Sequence, residues 1–576
     1  MNRLALLAVT AFLTVAAPAV AQGPLGQMND LFALSQGQGQ LPDTVPTQMD
    51  PGKPGPVPRA VCGPGSKPEP SIQGRVPAGS ATDGLRCNVE QVSHQGTSGG
   101  FRVWRYTDTT GRTCAYYDTA LLFPLNALNL NTNGLGVAVL DMTDPAKPEQ
   151  TATLTEPAML TPHESVNVNA KRGLIAAVSG NPSFYPGYVS IYDASKDCRA
   201  PTLDFSGPIA RFGHESGFSQ DGKTFYATSV NADAITAIDL TDPKAPHVVW
   251  EGRVNSHGMS LSDDGNRAYI ADTTGQMLIL DTSQIQARKA NPQAKEISRL
   301  TWSRASIPQN AMPFTENGHP YVLEFDEYTA GTTGSGSGND VGAGRIIDIA
   351  DEKAPKVVSN LRLQINEPTD HAKYGSDPGA DGQINGGVQG YAAHYCNIPT
   401  RVNPKIVACS FIASGLRLFD ISDLQHPKEA GYFVAPTGPK FENGENPSDF
   451  AMSMPSFDPA RHQVWWTDGA SGFYALRVVN GAWPAAAKAT KPPKVLCASK
   501  RVFTIHLKNP TGDHLRSARV TVDGKPVKVH KGRKFTARVD LRGKGKKIVV
   551  VRVRAVTRSG KVVHETRRYH TCRPGL

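Results

Sequence analysis
The chain has 576 residues, 39% hydrophobic and 19% charged, with a formal net charge of +10. That length is enough for several domains, and no stretch after the N-terminus is long and apolar enough to read as a membrane-spanning helix. The charge is uneven: residues 494–576 hold 23 Lys and Arg against 4 Asp and Glu, while the rest of the chain holds 38 against 47, so a mildly acidic body carries a strongly basic tail suited to an anionic partner.

The N-terminus reads as a secretory signal. Arg3 supplies a positive start, residues 4–15 are apolar, and Ala19-Val20-Ala21 is a small-residue cleavage site, which predicts a signal peptide over residues 1–21. The apolar run is short for a membrane anchor. The mature protein is therefore expected to be secreted or associated with the cell envelope. Residues 22–86 are rich in Pro, Gly and Gln, and the stretch 51–70 suits neither a helix nor a central strand. A mostly disordered arm is expected there.

From residue 87 to residue 483 one unit recurs. An apolar β-branched run ends in Asp, a turn containing Pro follows in most copies, and a second, more polar run comes after. The marker acids are Asp141, Asp193, Asp239, Asp281, Asp348 and Asp420, spaced 52, 46, 42, 67 and 72 residues apart. A repeat near this length with four strands per copy is the signature of a propeller. The clearest copy shows all its parts: a short strand at 259–262, an Asp263-Asp264-Gly265 turn, a strand at 267–271, a turn at 272–275 and a third strand at 277–281. Seven copies are counted. The last lacks a fourth strand before Pro484, and a segment from elsewhere is expected to complete it. Long Gly-rich insertions lie at 327–344 and 366–390; such loops serve as decoration or as lids over a site.

Four repeat starts place a His just before the first strand: His163, His214, His257 and His394. The equivalent position is Asn310 in the fifth repeat and lies near Met452 in the seventh, and His94 is the candidate in the first. First strands line a propeller axis, so these imidazoles are expected to converge at one mouth. Glu164 and Glu215 directly follow two of them. Loops after second strands bring Asp272, Glu324, Asp326, Glu327 and Asp468 to the same face. Imidazoles and carboxylates in a concave site suit a divalent metal ion, with acids also able to orient the rings. A polar channel lining bonded to backbone and water would show the same recurrence. A dinucleotide-binding glycine pattern is absent from the sequence, and no nucleophile is named.

The eight Cys have no C-x-x-C spacing, so in an exported chain disulfides are expected rather than metal thiolates. Cys497 and Cys572 bracket the tail and Cys396 and Cys409 lie on adjacent strands. Cys62 with Cys87, and Cys114 with Cys198, are what remain. Residues 484–493 read as a linker. Residues 494–576 alternate apolar with basic residues around the turns Asp523-Gly524 and Ser559-Gly560, which predicts a small basic β-sandwich. Its few aromatics, Phe503, Phe535 and Tyr569, argue against specific nucleic-acid readout.

The runs VAVLDMTDPAKP, IDLTDPKAP and LFDISDLQHP resemble the LVIVD repeat of secreted bacterial propellers over residues 87–483. That resemblance implies the fold and little about function. The selenium-binding and methanethiol oxidase group, a looser likeness, implies a metal held by axial His. The tail looks like the Ig-like or fibronectin-like modules of exported bacterial proteins. The leading expectation is thus an all-β, non-enzymatic interaction protein. It would bind a protein, small molecule or glycan at the propeller face, and its tail would hold anionic cell-wall polymers. The rival is a metal-dependent hydrolase or oxidase that uses His163, His214, His257 and His394.

Overall fold
A computed structural model describes residues 55–119, 135–180, 185–230, 233–301, 307–327, 341–375, 377, 390–437, 450–485, 501–532, 534–542 and 548–571. The chain divides into two compact units, residues 1–485 and 486–576.

In the first unit each repeat forms an antiparallel sheet in chain order. The clearest copy gives strands Met259–Leu261, Arg267–Asp272, Gln276–Asp281 and Lys295–Thr301. Burial falls from inside to outside. In the third sheet the inner strand Glu215–Phe218 is wholly buried, whereas the outer strand His247–Arg253 is mostly exposed or half-buried. That gradient matches the sequence in part, because the second and third strands of each repeat are largely apolar and the fourth is more polar.

The marker acids act as turn builders. The Oδ1 atoms of Asp141, Asp193, Asp239, Asp281, Asp348 and Asp420 each accept the amide two residues on, at 2.9, 2.7, 2.6, 2.9, 2.8 and 2.9 Å. An Asp that satisfies its own turn in this way stops the third strand and starts the return.

Neighbouring sheets are stitched along their inner strands. Trp104 Nε1 donates to Val166 O, Ser216 Oγ to Ser165 O and Thr228 Oγ1 to His257 O, at 2.7, 2.7 and 2.8 Å. Ser260 Oγ donates to Asn310 Oδ1, the Ala393 amide to Gly342 O, and Asn397 Nδ2 to Pro455 O, at 2.9, 3.0 and 2.7 Å. The Val103 amide then donates to Met454 O at 3.0 Å and returns the circuit to its start. This is the arrangement of a β-propeller.

The missing strand of the last sheet comes from the N-terminal side. Val89–Gln95 pairs antiparallel with Gly472–Val478 and completes the sheet that holds Ser456–Asp458 and Gln463–Asp468. Residues near the expected start of the first repeat therefore belong to the last sheet.

The expected disorder of residues 22–86 is corrected for the described part, residues 55–86. Leu85–Cys87 adds a fifth strand to the sixth sheet beside Lys428–Val434. Composition misleads here because residues far along the chain hold the arm, a buried cation among them. Arg417 donates to Glu69 at 2.8 Å and to Glu429 at 3.0 Å, with all three side chains fully buried. Its guanidinium also lies 4.3 Å from the centre of the Tyr432 ring. Removing one partner of a buried ion pair leaves uncompensated charge. Arg417→Ala is therefore expected to cost about 3–5 kcal/mol, read as a lower urea midpoint. A change within experimental error would show that the arm is held by other contacts.

Cys62–Cys87, Cys114–Cys198 and Cys396–Cys409 are bonded. Cys497 and Cys572 lie outside the described residues, as do the signal segment, residues 328–340 of the first insertion and residues 378–389 of the second. The second insertion begins not as a loop but as a short helix, Pro368–Tyr374.

The second unit holds two antiparallel sheets. In Ile548–Thr557, Val549, Val551, Val553 and Ala555 are buried while Arg552 and Arg554 are exposed, so its basic residues ride on the solvent side of an apolar core.

Candidate metal centre
Five successive sheets bring side chains to one point, four of them from the start of the inner strand. The second brings His163 and Glu164, the third His214 and Glu215, and the fourth His257. The second strand of the fifth sheet, His319–Glu327, ends in Glu327, and the sixth sheet brings His394 on Ala393–Asn397. Glu164 and Glu215 face each other across a parallel bridge between the second and third sheets. His163 holds a left-handed backbone, φ +49°, a sparsely populated conformation for a side chain of this size.

These side chains touch. Glu164 Oε1 lies 3.2 Å from His394 Nε2, and Glu164 Oε2 lies 3.4 Å from His257 Nδ1 and 3.5 Å from His214 Nε2. Glu327 reaches His257 Nε2 with Oε1 at 2.9 Å and His394 Nε2 with Oε2 at 3.2 Å. Glu215 Oε2 is 3.4 Å from His257 Nδ1. The His163 ring stands 4.4 Å from that of His214 and 4.3 Å from that of Phe101, centre to centre. Glu164 belongs to three sets of ligand atoms, each mutually within 4.8 Å: with His163 and His214, with Glu215 and His257, and with Glu327 and His394.

The surroundings fix these groups. His394 Nδ1–H donates to Met452 O at 2.7 Å, which leaves Nε2 as the nitrogen that faces the carboxylates. Glu215 Oε1 accepts from Arg102 and from Asn310 Nδ2, and Arg102 is itself 3.1 Å from Tyr395 OH. Gly258 makes room for that carboxylate, since a Cβ there would sit 1.6 Å from Glu215 Oε2.

Electrostatics show how strongly the cluster seeks positive charge. Burial disfavours a charged His257, yet Glu164 and Glu327 outweigh it and hold its pKa well above the usual imidazole range. Burial likewise opposes His394, but the same two carboxylates raise it to about 9. Burial would lift Glu164, and His257, His163 and His394 instead hold it well below the carboxylate range. Burial does lift Glu215, against the pull of Arg102.

The donor set fits a metal ion. With bonds of about 2.1 Å, two ligands of one ion stand about 3.0 Å apart at a right angle and about 3.4 Å apart at the tetrahedral angle. The contacts above, 2.9–3.5 Å, fall on those edges. Glu164 Oε2 and His394 Nε2 are buried without a well-aligned hydrogen bond, and a metal would satisfy atoms of this kind.

Not every expected residue takes part. His94 lies on the outer strand of the last sheet, exposed, with Nε2 2.6 Å from Ser471 O. Asp272 is bound up with Thr274 and Arg299. Glu324 and Asp326 both bind Arg345, and burial, opposed by that arginine, raises Glu324 well above its usual range. Asp468 caps the Phe450 and Ala470 amides, both at 2.9 Å. Asn310 holds Glu215 in place of ligating, and at the Met452 position it is the backbone carbonyl that works, orienting His394. Arg102 belongs to the site without being among the expected residues. The signal for it was present, because Arg102 precedes the inner strand Val103–Thr107 as the His residues precede theirs.

No family model matches the chain, and no curated protein matches it. Among solved structures it is similar to a candidate 6-phosphogluconolactonase from Bacteroides fragilis, at 12% identity over 60% of this chain and 90% of that one, TM-score 0.38. It is also similar to the C-terminal WD40 domain of Sif2, at 8% identity over 68% and 98%, TM-score 0.39.

Proposed function
We propose that this chain is an exported seven-bladed β-propeller with a divalent metal centre on its axis, where a ligand meets the metal beside His163. The carrying observation is the convergence of four imidazoles and three carboxylates from five sheets, buried and at ligand-to-ligand distances. A plain polar lining would turn such groups toward backbone or water. Here Glu164 and Glu327 turn toward imidazoles. The all-nitrogen-and-oxygen set suits Zn²⁺, Mn²⁺ or Fe²⁺ better than Cu(I). An ion so held would polarise a bound oxygen as a Lewis acid, so the metal-dependent enzyme reading displaces a purely passive binding role. The test is thermal unfolding before and after removal of metal by a chelator. Binding to the native state alone stabilises it by about 4 kcal/mol at a thousandfold excess over Kd. A large fall in Tm on chelation, reversed by added Mn²⁺ or Zn²⁺, is expected; identical melts would contradict the reading.

A second reading concerns residues 494–576, taken as an Ig-like module that holds anionic envelope polymers. It is favoured by the exposed Arg552 and Arg554 beside buried Val and Ala. Retention of the whole chain on isolated cell walls is expected to fall steeply with salt. Equal retention of a chain ending at Trp483 would end this reading.

A further inference from the structure
The metal reading leaves open how many ions the cluster holds, and Glu164 bears on that. We infer that the axial site is dinuclear, with Glu164 as the carboxylate bridging two divalent ions. The inference rests on the metal reading and goes one step past it.

The geometry divides the ligands between the two oxygens of one side chain. Glu164 Oε1 faces His394 Nε2 at 3.2 Å, and that nitrogen also faces Glu327 Oε2 at 3.2 Å. These three atoms form one ligand face. Glu164 Oε2 faces His257 Nδ1 at 3.4 Å, and that nitrogen also faces Glu215 Oε2 at 3.4 Å. These form a second face, with His214 Nε2 3.5 Å from the same Glu164 oxygen. Within each face the separations are those of ligands on one ion. Two-metal sites hold their ions about 3.5–4 Å apart, a gap that one carboxylate spans with its two oxygens.

The far nitrogens agree with this division. His394 commits Nδ1 to Met452 O at 2.7 Å, which leaves Nε2 for the first ion. His257 presents Nε2 to Glu327 Oε1 at 2.9 Å, which leaves Nδ1 for the second. Glu327 therefore ligates one ion through Oε2 and orients the other ion's imidazole through Oε1, as carboxylates behind metal-bound His do. Arg102 and Asn310 tie up Glu215 Oε1 and leave Oε2 for the second ion. Three carboxylates and Arg102 would face two dications, and the surplus positive charge is one that an anionic oxygen ligand at the open positions would neutralise.

The test uses the full chain, untagged, stripped with chelator and reloaded with Mn²⁺ alone. Two equivalents of manganese per chain and an exchange-coupled electron paramagnetic resonance spectrum are expected. His394→Ala should keep one equivalent with an isolated-ion spectrum, and His257→Ala should do the same from the other side. One equivalent with an isolated-ion spectrum in the unaltered chain would overturn the dinuclear assignment and leave the metal reading standing. No manganese at all would overturn both. Two coupled ions retained in both variants would overturn this division of ligands. The stoichiometry of the unaltered chain decides the matter even where a variant fails to fold.

Discussion

Glu164→Gln is expected to bring the metal content of the purified protein to background. Gln keeps the length of the side chain and removes its charge. Glu164 is the one residue present in all three ligand sets, so no set survives intact. Loss of an outer orienting group typically lowers metal affinity 10–100-fold; loss of a shared ligand should lower it by at least about 100-fold. Affinity for Zn²⁺ or Mn²⁺ measured by competition with a chromogenic chelator checks this. Affinity unchanged in the Gln variant would mean that Glu164 is not a ligand.

The second large effect is on stability. Arg102→Met should destabilise the metal-free protein by about 3–5 kcal/mol, because Glu215 would be left buried without its cation. Both side chains are almost fully buried. Arg102→Met/Glu215→Leu should recover most of that loss, since a buried ion pair exchanged for apolar groups is often neutral or stabilising. Urea midpoints of the two variants against the parent chain supply the comparison. If the double variant is no more stable than the single one, Arg102 acts through packing on Tyr395, whose ring centre lies 5.1 Å from its guanidinium.

The sequence exposes much of this centre, for a physical reason. Inner strands of a repeat begin at equivalent points, so a His recurring there in the sequence must recur in space. His163, His214, His257 and His394 meet on that basis alone. The acids divide less readably. Asp272 and Glu327 both end second strands, but Asp272 is one methylene shorter and turns back on Thr274 at 2.9 Å. Glu327 has the extra reach and arrives at His257 and His394. Periodicity cannot see that difference, which depends on side-chain length against distance to the axis. His94 reads as the member from the first repeat for a related reason: Val89–Gln95 looks like the start of a repeat but pairs with Gly472–Val478, and pairing at such separation leaves little local trace. The arm misleads in the same way, since Arg417 and the other residues that hold it lie far along the chain.

The most direct measurement is elemental analysis of the untagged protein beside its His257→Ala/His394→Ala variant. The account predicts a stoichiometric transition metal in the parent and a marked loss in the variant. No metal in either would contradict it and return the four imidazoles to the role of channel lining.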